Sequence, residues 1–263
     1  DLTELEEIIK LPYGMILATG PTGSGKSTTL YSILNTLNKI DKHIVTIEDP
    51  VERRLEGVNQ IQVNTQAGLT FPTGLRSILR NDPDIVMVGE IRDQETARIA
   101  IEASLTGHLV LSTLHTNDSA GAVTRLNDMG IEPFLTASSL ACVIAQRLVR
   151  VLCPNCKEKS ILSREGLLKN TPDFPLEDGE EEIILFEPVG CLQCSYTGYQ
   201  GRIGVFEILK VTETIAKMAI EKKSADEIKR AAIKEGMTTF RQQGFQIVRQ
   251  GKTSLNELLR VIV

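Results

Sequence analysis

The residues with the clearest chemistry form one continuous run: Gly20-Pro21-Thr22-Gly23-Ser24-Gly25-Lys26-Ser27, followed by Thr28. This satisfies G-x-x-x-x-G-K-[ST] and stands between an apolar stretch and a helical one, the context a phosphate loop requires. Glycines there let successive backbone N–H groups turn inward around phosphate oxygens. Lys26 is placed to reach β- and γ-phosphates, and the Ser27 hydroxyl to ligate magnesium. A helix starting near Lys26 adds the positive end of its dipole. With glycine at about 7% of residues, a chance match in a chain of this length arises on the order of once in a hundred.

A hydrolase built on that loop needs carboxylates to orient water and to manage the metal. Glu90 follows the apolar run 85–88, where an acid of the magnesium shell would follow its strand. Glu48, Asp49 and Glu52 close the run 44–47. Spacing leaves open whether Glu48 or Glu52 is the general base, and Asp49 equally fits a solvated turn. His115 ends a fourth apolar run and suits a γ-phosphate sensor, with a hydrogen-bonded core histidine as the alternative. His108 reads either way, and His43 reads as surface. Arg76 and Arg80 lie one helical turn apart, on a face that either meets a phosphate or is simply solvated. Asn38-Lys39-Ile40-Asp41 matches the guanine-reading N-K-x-D pattern, but it sits where the phosphate-loop helix closes, so ATP is favoured over GTP.

Cys153-Pro-Asn-Cys156 and Cys191-Leu-Gln-Cys194 are two C-x-x-C pairs separated by 34 residues. Four thiolates supply a closed tetrahedral zinc site with no position for water, so the expected zinc is structural. Paired disulfides are the alternative, disfavoured where thiols are kept reduced around cytosolic ATP. Cys142 reads as a small hydrophobe inside an apolar helix.

Secondary structure must bring these groups together. Apolar runs at 15–19, 44–47, 85–88 and 109–114 end in glycine or polar residues, with helical patterns between them, notably 93–104 and 118–128. Short buried strands alternating with helices predict an α/β fold with a parallel sheet, whose ligands gather at the strand carboxyl ends. Residues 1–10 read as a charged amphipathic helix. Ser224 with Glu227, and Ser254 with Glu257, read as capping boxes. The expected organisation is an ATPase core over 1–150, a tetracysteine subdomain over 151–200 and a mostly helical C-terminal subdomain over 201–263.

Of 263 residues, 41% are hydrophobic and 24% charged, as in a globular protein with a full core. The net charge of −5 argues against a nucleic-acid partner, because neutralising phosphates takes a basic footprint. No apolar run reaches the ~18 residues of a membrane span, and no signal peptide is recognisable. The chain starts without a methionine, as a fragment lacking upstream domains would.

Ile47-Glu-Asp-Pro-Val-Glu52, Gly74-Leu-Arg-Ser-Ile-Leu-Arg80-Asn-Asp-Pro-Asp84, Val88-Gly-Glu-Ile-Arg92-Asp93 and Thr106-Gly-His-Leu-Val-Leu-Ser-Thr-Leu-His-Thr-Asn117 follow the phosphate loop in that order. Together they resemble the Asp box, Walker B and His box of the secretion and pilus ATPase superfamily. Gln146-Arg-Leu-Val-Arg150, the four cysteines and Gly198-Tyr-Gln-Gly-Arg-Ile-Gly204 narrow the resemblance to the type II secretion traffic ATPases, over essentially the whole chain.

The resemblance implies a RecA-like P-loop NTPase domain with a tetracysteine zinc-binding insert and a helical C-terminal subdomain. It makes Glu52 the preferred general base with Glu48 second, Glu90 the Walker B acid and His115 the γ-phosphate-linked residue. Arg76, Arg80, Arg92 and Arg125 become phosphate or subunit-interface arginines, and Arg202 a contact to adenine. Also implied are ATP, Mg2+ and structural Zn2+, and a homo-hexamer on the cytoplasmic face of the bacterial inner membrane. Such a ring drives pseudopilus assembly through platform proteins, reached mostly by N-terminal domains that this chain lacks. The type IV pilus assembly ATPase shares every box and is the nearest alternative, whereas the retraction ATPase normally lacks the cysteines. A zinc-containing nucleic-acid translocase, and a scaffold that binds ATP without hydrolysing it, are the readings from other classes.

Overall fold

The computed structural model describes residues 2–262. In chain order its elements begin α1 (Leu2–Ile8), β1 (Gly14–Thr19), α2 (Lys26–Leu37), β2 (Ile44–Glu48), β3 (Asn59–Gln62), α3 (Phe71–Ile78) and β4 (Ile85–Val88). Then come α4 (Gln94–Leu105), β5 (Leu109–Leu114), α5 (Ser119–Asp128), α6 (Pro133–Ser139), β6 (Leu140–Leu152), β7 (Lys157–Ser163), α7 (Arg164–Asn170), β8 (Glu182–Pro188) and β9 (Tyr199–Lys210). Helices α8 (Glu213–Ile220), α9 (Ala225–Lys234), α10 (Phe240–Arg249) and α11 (Leu255–Val261) follow. Of the helix expected over 1–10, Asp1 lies outside the described residues. Two compact units form: one runs to Gln146 and takes back Glu207–Met237, and the other comprises Arg147–Phe206 and the chain from Thr238 onward.

The first unit carries the expected parallel sheet. Among the described residues the order is β3-β2-β4-β5-β1-β6-β9, with β6 and β9 continuing into the second unit. β1 runs parallel to β5 on one side and β6 on the other, and β5, β4, β2 and β3 pair parallel in turn. The central strands β1 and β4 are continuous, fully buried apolar runs because both their faces are covered. On one face Met15, Leu17, Val45, Ile47, Val86, Val88 and Val110 join a core with α3, α4 and α5. On the other, α2 packs over β1 and β5 through buried Leu30, Ile33 and Leu34. Burying each such side chain contributes roughly 1.5–3 kcal/mol. Strand alternation has a chemical consequence on β2: Val45 and Ile47 enter the core with α3, so Thr46 and Glu48 face α2.

Three expectations are corrected. Cys142 is buried in β6, not in a helix. The run 140–152 is buried on both faces near its start, so it shows no alternation, and its valines and isoleucine favour a strand. Arg80 lies in the 3-10 turn Leu79–Asn81 that continues α3, not in the α-helix itself. Ser254 caps α11 by accepting the Glu257 N–H at 3.2 Å, but the Glu257 carboxylate turns to Arg150 and Arg260 and leaves the reciprocal bond unmade.

In the second unit β7 and β8 form an antiparallel pair, from Lys157 opposite Pro188 to Ser163 opposite Glu182, with α7 in the connection. Lys157 follows one cysteine pair and Pro188 precedes the other. The open end of the hairpin therefore brings together two motifs distant in sequence.

Candidate nucleotide site and cysteine centre

The loop after β1 has the backbone its glycines permit. Gly20, Gly23 and Gly25 take φ of 145°, 78° and 90°, values that strain any residue with a Cβ. A Cβ on Gly20 would stand 2.5 Å from the Gln146 carbonyl oxygen and 2.7 Å from Ser24 Oγ. Lys26, at the start of α2, donates to the carbonyls of Gly20 at 2.9 Å and Pro21 at 3.1 Å. Ser24 Oγ is buried and has no hydrogen-bond partner among the described residues. An orphaned hydroxyl in a glycine-rich loop at a helix start fits an anionic ligand. Pro21, Thr22 and Thr28 are exposed around it.

Parallel pairing aligns the carboxyl ends of the strands, since Thr19 stands opposite Leu114, Ile47 opposite Val88, and Val88 opposite Ser112. Gly20, His115, Glu90 and Asp49 consequently follow along one sheet edge. Thr116 N–H donates to Thr19 Oγ1 at 3.0 Å, and Thr113 Oγ1 to the Gly89 carbonyl at 2.8 Å, which fixes those loops to each other.

Glu48 and Glu52 have opposite surroundings. Glu48 is buried; Tyr31 donates to its Oε2, while Thr46 at 2.5 Å and Gln60 at 3.1 Å donate to its Oε1. Glu52 is exposed, and its Oε1 accepts from Ser27 Oγ at 3.0 Å. Glu90 pairs with Arg92, whose guanidinium is held above its ordinary range by that hydrogen bond, and His115 Nε2 lies 3.5 Å from Glu90 Oε2. His115 is half exposed, so it is not the core histidine of the alternative reading. His108 is satisfied by the Ala103 carbonyl at 2.9 Å. Asn38 is the C-cap of α2 and donates to the Glu56 carbonyl at 2.7 Å.

Arg76 pairs with Glu95 at 2.7 Å, and both line a groove with Arg80 and Arg98 that includes no phosphate-loop residue. Arg125 is exposed on α5, and Arg202 is exposed on β9 in the second unit. Residue-type reasoning missed Tyr31, Thr46 and Gln60. The available signals were the i,i+4 spacing of Ser27 and Tyr31 on α2 and the i,i+2 spacing of Thr46 and Glu48 on β2.

The four cysteines converge. Cys153 and Cys191 sulfurs are 3.9 Å apart, Cys156 and Cys194 3.8 Å, and Cys191 and Cys194 3.8 Å, with all four within 4.8 Å. Disulfides need about 2.05 Å, and the cysteines are free. A tetrahedral zinc with Zn–S near 2.3 Å has edges of about 3.8 Å, so the donor set fits that ion. Gly190 N–H donates to Cys156 at 3.3 Å, and those of Cys191 and Gly198 to Cys194 at 3.2 Å each. Burial alone would raise the Cys194 thiol, but these two amides together with the neighbouring Cys156 and Cys191 thiols outweigh it and bring it down to about 6. Burial and the neighbouring cysteines push Cys156 up to about 11, so the first proton of the cluster leaves from Cys194.

A parallel α/β sheet with a phosphate loop at its carboxyl edge, acids on the neighbouring strand ends and a tetracysteine centre defines a P-loop nucleotide-binding protein. The sequence model described as type II/IV secretion system protein matches residues 1–260, and the chain belongs to that family. The type II secretion system ATPase E of Vibrio cholerae is 52% identical over 256 residues, 97% of this chain and 49% of that protein. The type IV pilus assembly ATPase PilB of Myxococcus xanthus is 48% identical over 258 residues, 98% of this chain and 45% of that one. Among solved structures, the pilus retraction motor PilT with bound ADP superposes with a TM-score of 0.70 at 28% identity, over 98% of this chain and 63% of that one. The chain spans about half the length of the curated relatives it matches.

Proposed function

We propose that this chain is the ATP-hydrolysing part of a type II secretion motor. The observation that carries the reading is the Ser27–Glu52 hydrogen bond at 3.0 Å, which puts an exposed carboxylate beside the hydroxyl that ends the phosphate loop. Lys26 and the loop amides bind the β- and γ-phosphates, and Ser27 holds the magnesium of the nucleotide, which neutralises phosphate charge when bound. Glu52 orients the attacking water and takes its proton. Glu90, steered by Arg92 and His115, serves the metal shell as the Walker B acid, and His115 stands on the γ-phosphate side. Glu48 supports this arrangement without touching the reaction.

The wider reading is a homo-hexamer, peripheral on the cytoplasmic face of the inner membrane, that works pseudopilus assembly through platform proteins. Among the described residues no helix is long and apolar enough to cross a membrane. Arg76, Arg80 and Arg125 act at subunit boundaries, Arg92 at the phosphates, and Arg202 at adenine. Cys153, Cys156, Cys191 and Cys194 hold a structural zinc. The match to PilB supports type IV pilus assembly as a second reading, with the same chemistry and a different filament.

The test is steady-state ATP turnover of the chain fused to a hexameric carrier, with Lys26→Ala, Glu52→Gln and Glu90→Gln. Turnover that rises on assembly and collapses in all three variants supports a ring motor. Confirmed nucleotide binding and assembly with background turnover, persisting after upstream domains are restored, would sink it.

A further inference from the structure

We infer that Tyr31 is a positioning residue for Glu52: its phenol, anchored on buried Glu48, holds the Glu52 backbone so that this carboxylate meets Ser27. The inference rests on the reading of Glu52 as the working carboxylate.

The geometry is a two-point clamp on one face of α2. Ser27 and Tyr31 are four residues apart, so their side chains stack on the same face. Ser27 Oγ holds the Glu52 side chain at 3.0 Å, and Tyr31 Oη accepts the Glu52 backbone N–H at 3.3 Å. The same phenol donates to Glu48 Oε2. Thr46 and Gln60 donate to the other oxygen of Glu48, which leaves Oε2 to the phenol.

Burial and then the Glu48 carboxylate push the Tyr31 phenol up to about 12, so it stays protonated and keeps donating. Midway between Ser27 and Tyr31 in sequence, and so on the other side of α2, Thr29 donates to Gln146 at 2.7 Å, tying the helix to β6. The segment after β2 is thereby referenced to the phosphate-loop helix and not to its own strand alone. Only an aromatic ring spans from α2 to the strand edge while carrying an oxygen that both donates and accepts. Phenylalanine would fill the space and lose both bonds.

A purely structural tyrosine would satisfy Glu48 and leave catalysis alone, so the test separates the two roles. Tyr31→Phe, Thr46→Val, Glu52→Gln and the Tyr31→Phe/Glu52→Gln double variant are compared by amide hydrogen exchange over 49–54 and by steady-state kinetics in the hexamerised chain. In the unaltered chain the Glu52 amide should be protected although the residue is exposed. Tyr31→Phe should speed its exchange about tenfold or more, and lower kcat about 10- to 100-fold with KM and nucleotide affinity within about twofold.

Thr46→Val takes a donor from Glu48 but leaves the Glu52 amide bond. It should lower the melting temperature with kcat within about twofold of the unaltered chain. The double variant should be no slower than Glu52→Gln alone. An unprotected Glu52 amide in the unaltered chain overturns the inference even where Tyr31→Phe fails to fold. So does unchanged exchange in a folded Tyr31→Phe, full kcat in that variant, or losses that multiply in the double variant. Normal turnover in Glu52→Gln instead overturns the general-base reading, while exchange still decides whether Tyr31 holds the segment.

Discussion

Ser27 Oγ stands 3.0 Å from Glu52 Oε1, while Glu48, at the end of the same strand segment, is enclosed by Tyr31, Thr46 and Gln60. Three donors occupy the oxygens of Glu48, and burial keeps water away. Glu52 is exposed and has lone pairs free for a water molecule. Glu52→Gln is therefore expected to cut ATP turnover about 100-fold or more with little change in stability. Glu48→Gln should cost about 1–3 kcal/mol of stability, because one amide hydrogen-bonding end then faces a donor. Turnover and chemical denaturation on the same samples check both, and the reverse pattern would assign the base to Glu48.

The phosphate-loop glycines should not behave alike. Alanine at Gly20 meets the Gln146 carbonyl oxygen at 2.5 Å on a backbone with φ of 145°. Backbone cannot yield as a flexible side chain would, so Gly20→Ala is expected to lose nucleotide binding and several kcal/mol of stability. At Gly23 an added Cβ finds nothing within 4 Å. Gly23→Ala should cost only the left-handed backbone strain, about 1–2 kcal/mol, and still bind nucleotide. Fluorescent-nucleotide titration and thermal melts separate them; equal penalties would refute the geometry.

Much of this site was legible because its chemistry is local. The phosphate loop is contiguous, and Glu90 and His115 close apolar runs that could only be buried strands. The four cysteines also announce themselves by spacing, although their convergence depends on the β7–β8 hairpin. Spacing alone left Glu48 and Glu52 equivalent, since the surroundings that distinguish them turn on which strand face meets α2 and on Tyr31 reaching across from another element; only the resemblance favoured Glu52. The helix expected at Cys142 failed for a related reason: a strand covered on both faces loses the alternation that identifies strands. β3 passed unnoticed because Asn59-Gln-Ile-Gln62 is short and mostly polar at the sheet edge.

Removing the metal should act on the second unit first. The sulfur spacing of 3.8–3.9 Å matches the edges of a zinc tetrahedron. Elemental analysis of the purified chain is expected to give one zinc per chain, and Cys194→Ser to abolish it. Without the ion, hydrogen exchange should rise around both cysteine pairs and along β7 and β8, because the centre closes the open end of that hairpin. A chain that is zinc-free yet equally protected there would show that hydrogen bonds alone hold the knuckles.

Acid should weaken the second unit through Glu257. Its carboxylate is buried, accepts the Arg150 N–H at 3.0 Å and the Arg150 guanidinium at 2.7 Å, and accepts from Arg260 at 2.8 and 2.9 Å. Burial alone would raise its pKa, but the Arg260 and Arg150 bonds outweigh this and bring it from 4.5 down to about 2. A carboxylate depressed on folding adds stability that is fully present above its unfolded pKa and is lost as pH falls through the folded one. The contribution is about 2 kcal/mol, after discounting for the exposed arginine ends. Glu257→Gln should therefore be less stable near pH 6, and the gap to the unaltered chain should narrow between pH 4.5 and 2. Urea unfolding across that range reads the gap directly, and a pH-independent difference would mean that packing, not charge, makes Glu257 matter.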